Sequence, residues 1–216
     1  MIVDISFRLI GDNIPTDHGY VLYSGLSTLL PILHNVDWLA VHPISGLPTG
    51  NGTLRLTKNS RLRLRLQSER LSEVIPLAGK RLALFNTHKE SRIRLGVPEV
   101  YALKPSDKLY SRCVVIKISD AEKNTVAPTR EMFITAIRKK LQEQNISGDV
   151  WIDDKPDHQG HELSRRIIHI KGQKIVGYSV QIGGLSVEDS IKLQEIGVGG
   201  RQKMCCGVFV PVRERG

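Results

Sequence analysis

Between residues 197 and 207 the chain reads Gly-Val-Gly-Gly-Arg-Gln-Lys-Met-Cys-Cys-Gly, four glycines with two cations among them. Glycine reaches backbone angles closed to other residues and leaves no Cβ to hold a ligand off the main chain. A run of such N–H groups, around Gly199 and Gly200, suits anionic oxygen, and Arg201 and Lys203 add full charge beside it. The chemistry on offer is phosphate binding. It is not that of a nucleotide P-loop, which needs Gly-Lys-Ser/Thr between a strand and the helix after it. Here Met204 follows Lys203, and the order is helix, loop, strand. A dinucleotide fingerprint would open a helix rather than close one. The plain alternative is a flexible connection with no ligand, but loops this rich in glycine usually carry function. The backbone of a polyanion remains the leading partner.

A second basic feature is Arg61-Leu62-Arg63-Leu64-Arg65-Leu66. In a strand, residues two apart share a face, so Arg61, Arg63 and Arg65 project together, ~6–7 Å apart, while the leucines enter the core. That spacing suits successive phosphates of a nucleic-acid strand. Arg55 and Lys58 extend the charge. The competing reading is a solvated face that discourages edge pairing. Asp153 to Glu162 gathers carboxylates with His158 and His161, but Pro156 and Gly160 mark a loop and no regular metal-loop spacing fits. We expect a solvated hairpin loop there, no metal site and no cofactor.

Lys and Arg number 31 against 22 acids, a net charge of +9, which favours a polyanionic partner and fast, salt-sensitive association. No apolar run approaches the ~20 residues a membrane helix needs. The start, Met1-Ile2-Val3-Asp4, lacks the form of a secretion signal. Cys113 stands alone and Cys205 and Cys206 are adjacent, a pattern of reduced thiols in packed positions. The expectation is a cytoplasmic protein with no membrane partner.

The elements that must position these residues follow one rhythm twice. Residues 2–10 alternate as a strand; Pro15-Thr16-Asp17 opens a helix to about Leu30, with Thr16 or Asp17 as N-cap. Strands follow at 36–44 and 61–66, a short helix at 68–75, then strands at 81–85 and 92–95. After a linker-like Lys104-Pro105-Ser106-Asp107-Lys108 come strand 110–118, helix 129–144 and strand 149–152. A hairpin 163–170/175–182 turning at Lys171-Gly172, helix 187–196 and strand 208–212 complete the chain. This predicts an α+β protein of two tandem ferredoxin-like (RRM-like) domains, residues 1–104 and 109–216. The usual aromatic motif of that RNA-binding sheet is absent and only 5% of the chain is aromatic, so base stacking on a sheet is not the expected main binding mode.

A glycine-rich loop before the final strand of a tandem ferredoxin-like chain resembles the RAMP superfamily. Residues 197–211 look like the C-terminal signature of its CRISPR repeat-processing endoribonucleases. Ile14-Pro15-Thr16-Asp17-His18-Gly19-Tyr20-Val21-Leu22-Tyr23 and His42-Pro43 look like the branch of Myxococcus-type type I systems and related CRISPR-associated transposons. The resemblance implies a metal-independent endoribonuclease that cuts precursor CRISPR RNA within its repeats. A 2′-hydroxyl attacks the adjacent phosphate, leaving 2′,3′-cyclic phosphate and 5′-hydroxyl ends. It implies too that the enzyme stays on the stem-loop of the guide RNA and joins other subunits of a type I effector complex. The alternative is a guide-RNA-binding subunit without catalysis.

Such a reaction needs proton transfer and cations near the phosphate. His18, at the start of the first helix where a phosphate and a neutral imidazole are favoured, is the first candidate; the family often places its histidine in or near this helix. Tyr20 and Tyr23 lie within the same turns and could orient or assist. His42, at a strand end before Pro43, is second. Arg61, Arg63, Arg65, Arg201 and Lys203 are candidates for phosphate positioning. His34 and His88 have no supporting context and are read as surface, while His169 could face RNA or cover the sheet.

Overall fold

Alternation decides the first sheet. In the computed structural model, which describes residues 1–86, 89–118, 128–155 and 163–212, strand β1 (Ile2–Ile10) buries Val3, Ile5, Phe7 and Leu9. Across from them, Leu66, Leu64 and Leu62 of β6 (Arg61–Gln67) enter the same core as the partners of Val3, Ile5 and Phe7. Strand β3 (Ala40–Val41) pairs with the far side of β6, and β8 (Lys89–Ala102) pairs with β1 and then with β7 (Arg81–Asn86). The sheet order is β3-β6-β1-β8-β7, antiparallel throughout. Helix α1 (Gly19–Leu29) contributes Leu22 and Leu26, and the one-turn α2 (Leu71–Val74) contributes Val74, to the cluster on one face of this sheet. A strand–helix–strand–strand–helix–strand chain with its first and third strands central is the ferredoxin-like arrangement; β7 is an addition at the edge.

Three very short strands, β2 (Asn13–Pro15), β4 (Leu47–Pro48) and β5 (Thr53–Arg55), make a small separate sheet in the order β2-β5-β4. None of these three was expected from the sequence, where the alternation is too short to stand out. The strand expected over 36–44 shrinks to Ala40–Val41, the two residues that pair with β6; Asp37 and Trp38 before it form a bend. Helix α1 begins one or two residues later than expected: His18, not Thr16 or Asp17, is its N-cap residue, and no side chain caps it.

The second unit repeats the plan. Strands β9 (Lys108–Val114), β10 (Asp149–Trp151), β12 (Gln173–Gly183) and β13 (Val210–Pro211) lie in the order β10-β12-β9-β13, and β11 (Arg165–Ile170) pairs with the first half of β12. Helix α3 (Arg130–Glu143) starts where the Thr129 side chain accepts from the Met132 N–H, and α4 (Val187–Ile196) where Ser186 accepts from the Asp189 N–H. Phe133 of α3 meets Tyr178 of β12 with ring centroids 4.8 Å apart in the middle of the core. The β11–β12 turn is at Lys171 and Gly172, both at positive φ, as a two-residue hairpin requires.

Residues Met1–Leu103 with Lys203–Cys205 form one compact unit, and Lys104–Gln202 with Cys206–Gly216 the other. All three cysteines are buried and unbridged. Among the described residues no helix is long and apolar enough to cross a membrane.

Candidate active site

The two histidines favoured by sequence are interior groups. His18 is 2% exposed; its Nδ1 lies 3.0 Å from the Pro15 carbonyl, and its Nε2 accepts the Ile44 N–H at 2.9 Å. Those bonds define a neutral imidazole with the proton on Nδ1, tying the start of α1 to the chain after β3. His42 is 4% exposed, with Nε2 3.2 Å from Asp4 Oδ1. Burial pushes the His42 imidazole below its ordinary value, outweighing the pull of the Asp4 carboxylate, so the ring is neutral and donates from Nε2.

Arg65 departs from the phosphate-facing row expected of it. It is 3% exposed and grips Asp4 with two bonds, Nε to Oδ1 at 2.8 Å and a terminal nitrogen to Oδ2 at 3.0 Å. Burial works to raise the Asp4 pKa, but hydrogen bonds from His42 and Arg65 overcome it and hold the carboxyl below the usual range. Alternation placed Arg65 on the correct face; depth in the fold gave it a carboxylate partner. Arg61 and Arg63 are half-buried on the same face, Arg61 also donating to the Lys58 and Ser60 carbonyls. Arg55 is exposed on β5, in the small sheet.

The glycine loop divides. In the second unit its amides serve the protein: Gly200 N–H donates to Val115 O, Gly207 N–H to Cys113 O and Val198 N–H to Gly207 O. A Cβ on Gly199, at φ 82°, would sit 2.3 Å from Val115 O. Here glycine permits close approach to the chain's own backbone, which is a different use from the open amide cradle expected. Arg201 is exposed at φ 65°, a left-handed conformation uncommon for a side-chain-bearing residue.

Residues 203–205 pack in the first unit. A Cβ on Gly19 would lie 2.3 Å from Met204 O, so α1 begins with glycine because the loop crosses it there. Cys205 Sγ donates to His42 O at 3.5 Å. Lys203 Nζ donates to Val36 O at 2.6 Å and stands 5.6 Å from the centre of the Tyr23 ring. Tyr23 is buried on α1; its hydroxyl donates to Leu33 O at 3.3 Å and accepts the Asn35 N–H at 3.0 Å.

Three bonds from two side chains hold one short turn. Leu33 and Asn35 are tied to the Tyr23 hydroxyl and Val36 to Lys203, and between them His34 is exposed. Among the described residues of the first unit, His34 is the imidazole open to solvent. Sequence reasoning set it aside as a surface residue. The missing signal was tertiary, for nothing local says that Tyr23 and Lys203, 167 positions from Val36, converge on that turn. The structure thus brings Tyr23 and Lys203 to one turn and packs residues 203–205 against the chain beside His18 and His42. His169 is exposed on β11, while His88 and residues 156–162, with His158 and His161, lie outside the described residues.

A family model described as Cas6 Crispr matches residues 3–214. The CRISPR-associated endonuclease Cas6 of Myxococcus xanthus (strain DK1622) is 32% identical over 209 residues, 97% of this chain and 81% of that protein. Among solved structures, a Cas6-related gene product from Pyrococcus furiosus is similar with a TM-score of 0.67 at 12% identity, covering 100% of both chains. A CRISPR-associated protein Cas6 gives 0.63 at 14% identity, covering 99% of this chain and 100% of that one. At such identities the likeness is one of fold, the tandem ferredoxin-like pair described above. With the family model spanning residues 3–214 and the bacterial relative 32% identical over 97% of this chain, the chain belongs to the Cas6 family of CRISPR-associated endonucleases.

Proposed function

We propose that this protein binds and cuts CRISPR precursor RNA within its repeats by metal-independent transesterification, and keeps hold of the 3′ stem-loop of the guide RNA it has made. The observation that carries the chemistry is the clamped turn: an exposed imidazole, His34, between backbone anchors on Tyr23 and Lys203. In this reading His34 takes the proton of the 2′-hydroxyl. The 2′-oxygen bonds to phosphorus as the bond to the 5′-oxygen breaks, and the departing oxygen collects a proton from solvent as a 5′-hydroxyl. Lys203 supplies positive charge to the phosphate oxygens, where a preorganised cation is worth most. Tyr23 holds the turn.

His18 and His42 act as positioning residues. Each is buried with hydrogen-bonded nitrogen, and each braces chain beside residues 203–205. Arg55, Arg61, Arg63 and Arg201 are the proposed contacts to RNA phosphates, with Gly199 and Gly200 shaping the loop that presents Arg201. Other subunits of a type I effector complex are the expected partners of the protein with its guide. Relatives of known fold support RNA as the substrate: one is an RAMP protein binding different RNA substrates, similar with a TM-score of 0.62 at 13% identity.

The test is cleavage of a repeat stem-loop RNA by the purified protein in excess chelator, with the product ends analysed. Cleavage giving 2′,3′-cyclic phosphate and 5′-hydroxyl ends is expected. Tight binding without cutting, with or without added divalent metal, would replace this reading by that of a guide-RNA-binding subunit without catalysis.

A further inference from the structure

The face of the first sheet turned away from α1 carries charge that the clamped turn does not use. Directly opposed residues of antiparallel strands point to the same side, and like charges there destabilise the pairing. This sheet has two such oppositions. Arg8 of β1 faces Arg61 of β6, and Arg94 of β8 faces Arg81 of β7. Register joins them: Arg94 is also the partner of Ile10, two residues along β1 from Arg8. Arg61, Arg8, Arg94 and Arg81 therefore form one band across four adjacent strands, ~14 Å from first to last at the usual strand spacing. Arg8, Arg81 and Arg94 are exposed and Arg61 half-buried, and among the described residues no carboxylate pairs with any of the four.

Two other arginines on this face are neutralised, Arg65 by Asp4 and Arg92 by Glu90, while Arg63, half-buried beside Arg61, has no carboxylate partner among the described residues. The band and Arg63 are together the charge left uncompensated. Two large apolar groups stand beside it on the same face. Ile10 is 53% exposed within the band, and Tyr101, the cross-strand partner of Asp4, is 46% exposed with its hydroxyl bonded to Glu99.

We propose that this sheet face is a binding track for single-stranded RNA, the unpaired segment flanking the hairpin, with phosphates on the arginine band and bases against Tyr101 and Ile10. The proposal rests on the RNA-processing reading above. A duplex hides its base faces and would find no use for an exposed aromatic and an exposed aliphatic side chain among arginines. An unpaired strand offers a phosphate and an open base face in every residue, whereas the carboxylate side chains of an acidic segment carry no ring of their own. The cross-strand repulsion is the cost of keeping the track cationic.

The experiment measures affinity against salt for two RNAs, a repeat hairpin alone and the same hairpin with an eight-nucleotide unpaired extension. Wild type is compared with Arg8→Gln/Arg94→Gln. On the extended RNA the double variant is expected to bind at least tenfold more weakly, with a salt slope reduced by about 1.4 for two lost single-strand phosphate contacts. On the hairpin alone it should match wild type, and its Tm should be equal or higher, because repulsion has been removed. Tyr101→Ala should weaken only the extended RNA. Equal losses on both RNAs would move the band to the hairpin and overturn the single-strand assignment. An unchanged slope on extended RNA, or loss of affinity to an acidic peptide but not to RNA, would overturn the track. Wild type failing to bind either RNA would sink the processing reading along with it.

Discussion

Asp4 holds two partners at once, Arg65 through two bonds and His42 through one, and the three are buried together under the arginine-bearing face. Removing one member of a buried ion pair strands the other, so Asp4→Asn is expected to destabilise the fold by about 3–5 kcal/mol in chemical denaturation. The pH dependence follows from two shifts of the same sign. The His42 ring stays neutral in the folded state while an unfolded histidine takes up a proton near pH 6.5, so stability declines as pH falls through that value. Asp4 is ionised well below the usual carboxylate range, so its contribution is complete above about pH 4 and is lost on further acidification. His42→Gln should shrink the first decline and leave the second; a profile from pH 8 to 5 identical to that of wild type would contradict the buried neutral ring of His42. The leucine alternation in β6 predicted the faces of Arg61, Arg63 and Arg65 correctly, yet no count of alternation distinguishes a solvated guanidinium from one that must find Asp4.

At the scale of elements, long periodic segments were legible, and so were a few short ones such as β10 and α2, while contact-dependent ones were not. β1 and α4 run over the residues expected of them, because each has a continuous pattern and α4 has both a serine cap and a terminal Gly197 at φ 64°. The small sheet of β2, β4 and β5 left no pattern to read. The glycine loop was read as an amide cradle from composition alone; contacts with Val115 and Met204 give Gly199 and Gly19 another reason to be glycine. Gly19→Ala tests this directly. A methyl group 2.3 Å from Met204 O must displace either α1 or residues 203–205, and with them Lys203. The expected outcome is a lowered Tm together with a loss of RNA cutting larger than the loss of RNA binding. Full activity in Gly19→Ala would mean that the loop does not need its seat on α1.

For the whole molecule the net charge of +9 sets long-range attraction, and the charges facing RNA set how steeply affinity falls with salt. Arg201→Gln should weaken binding of a repeat hairpin and lower the salt slope by about 0.9 for one duplex phosphate contact, without altering Tm. A pair of ferredoxin-like units could be read from the repeated order of elements, whereas the candidate site was read only in part: Tyr23 and Lys203 were named from the sequence, but His34 was not, because it acquires its surroundings from Tyr23 on α1 and Lys203 far along the chain. Binding and cutting are separable in this account, since the arginines hold RNA and one clamped turn carries the proton transfer. The direct measurement is the single-turnover cleavage rate and the Kd of His34→Ala on repeat RNA in excess chelator. A rate reduced about 10²–10⁴-fold with Kd within a few fold of wild type is the predicted result. Cleavage by His34→Ala at the wild-type rate would contradict it.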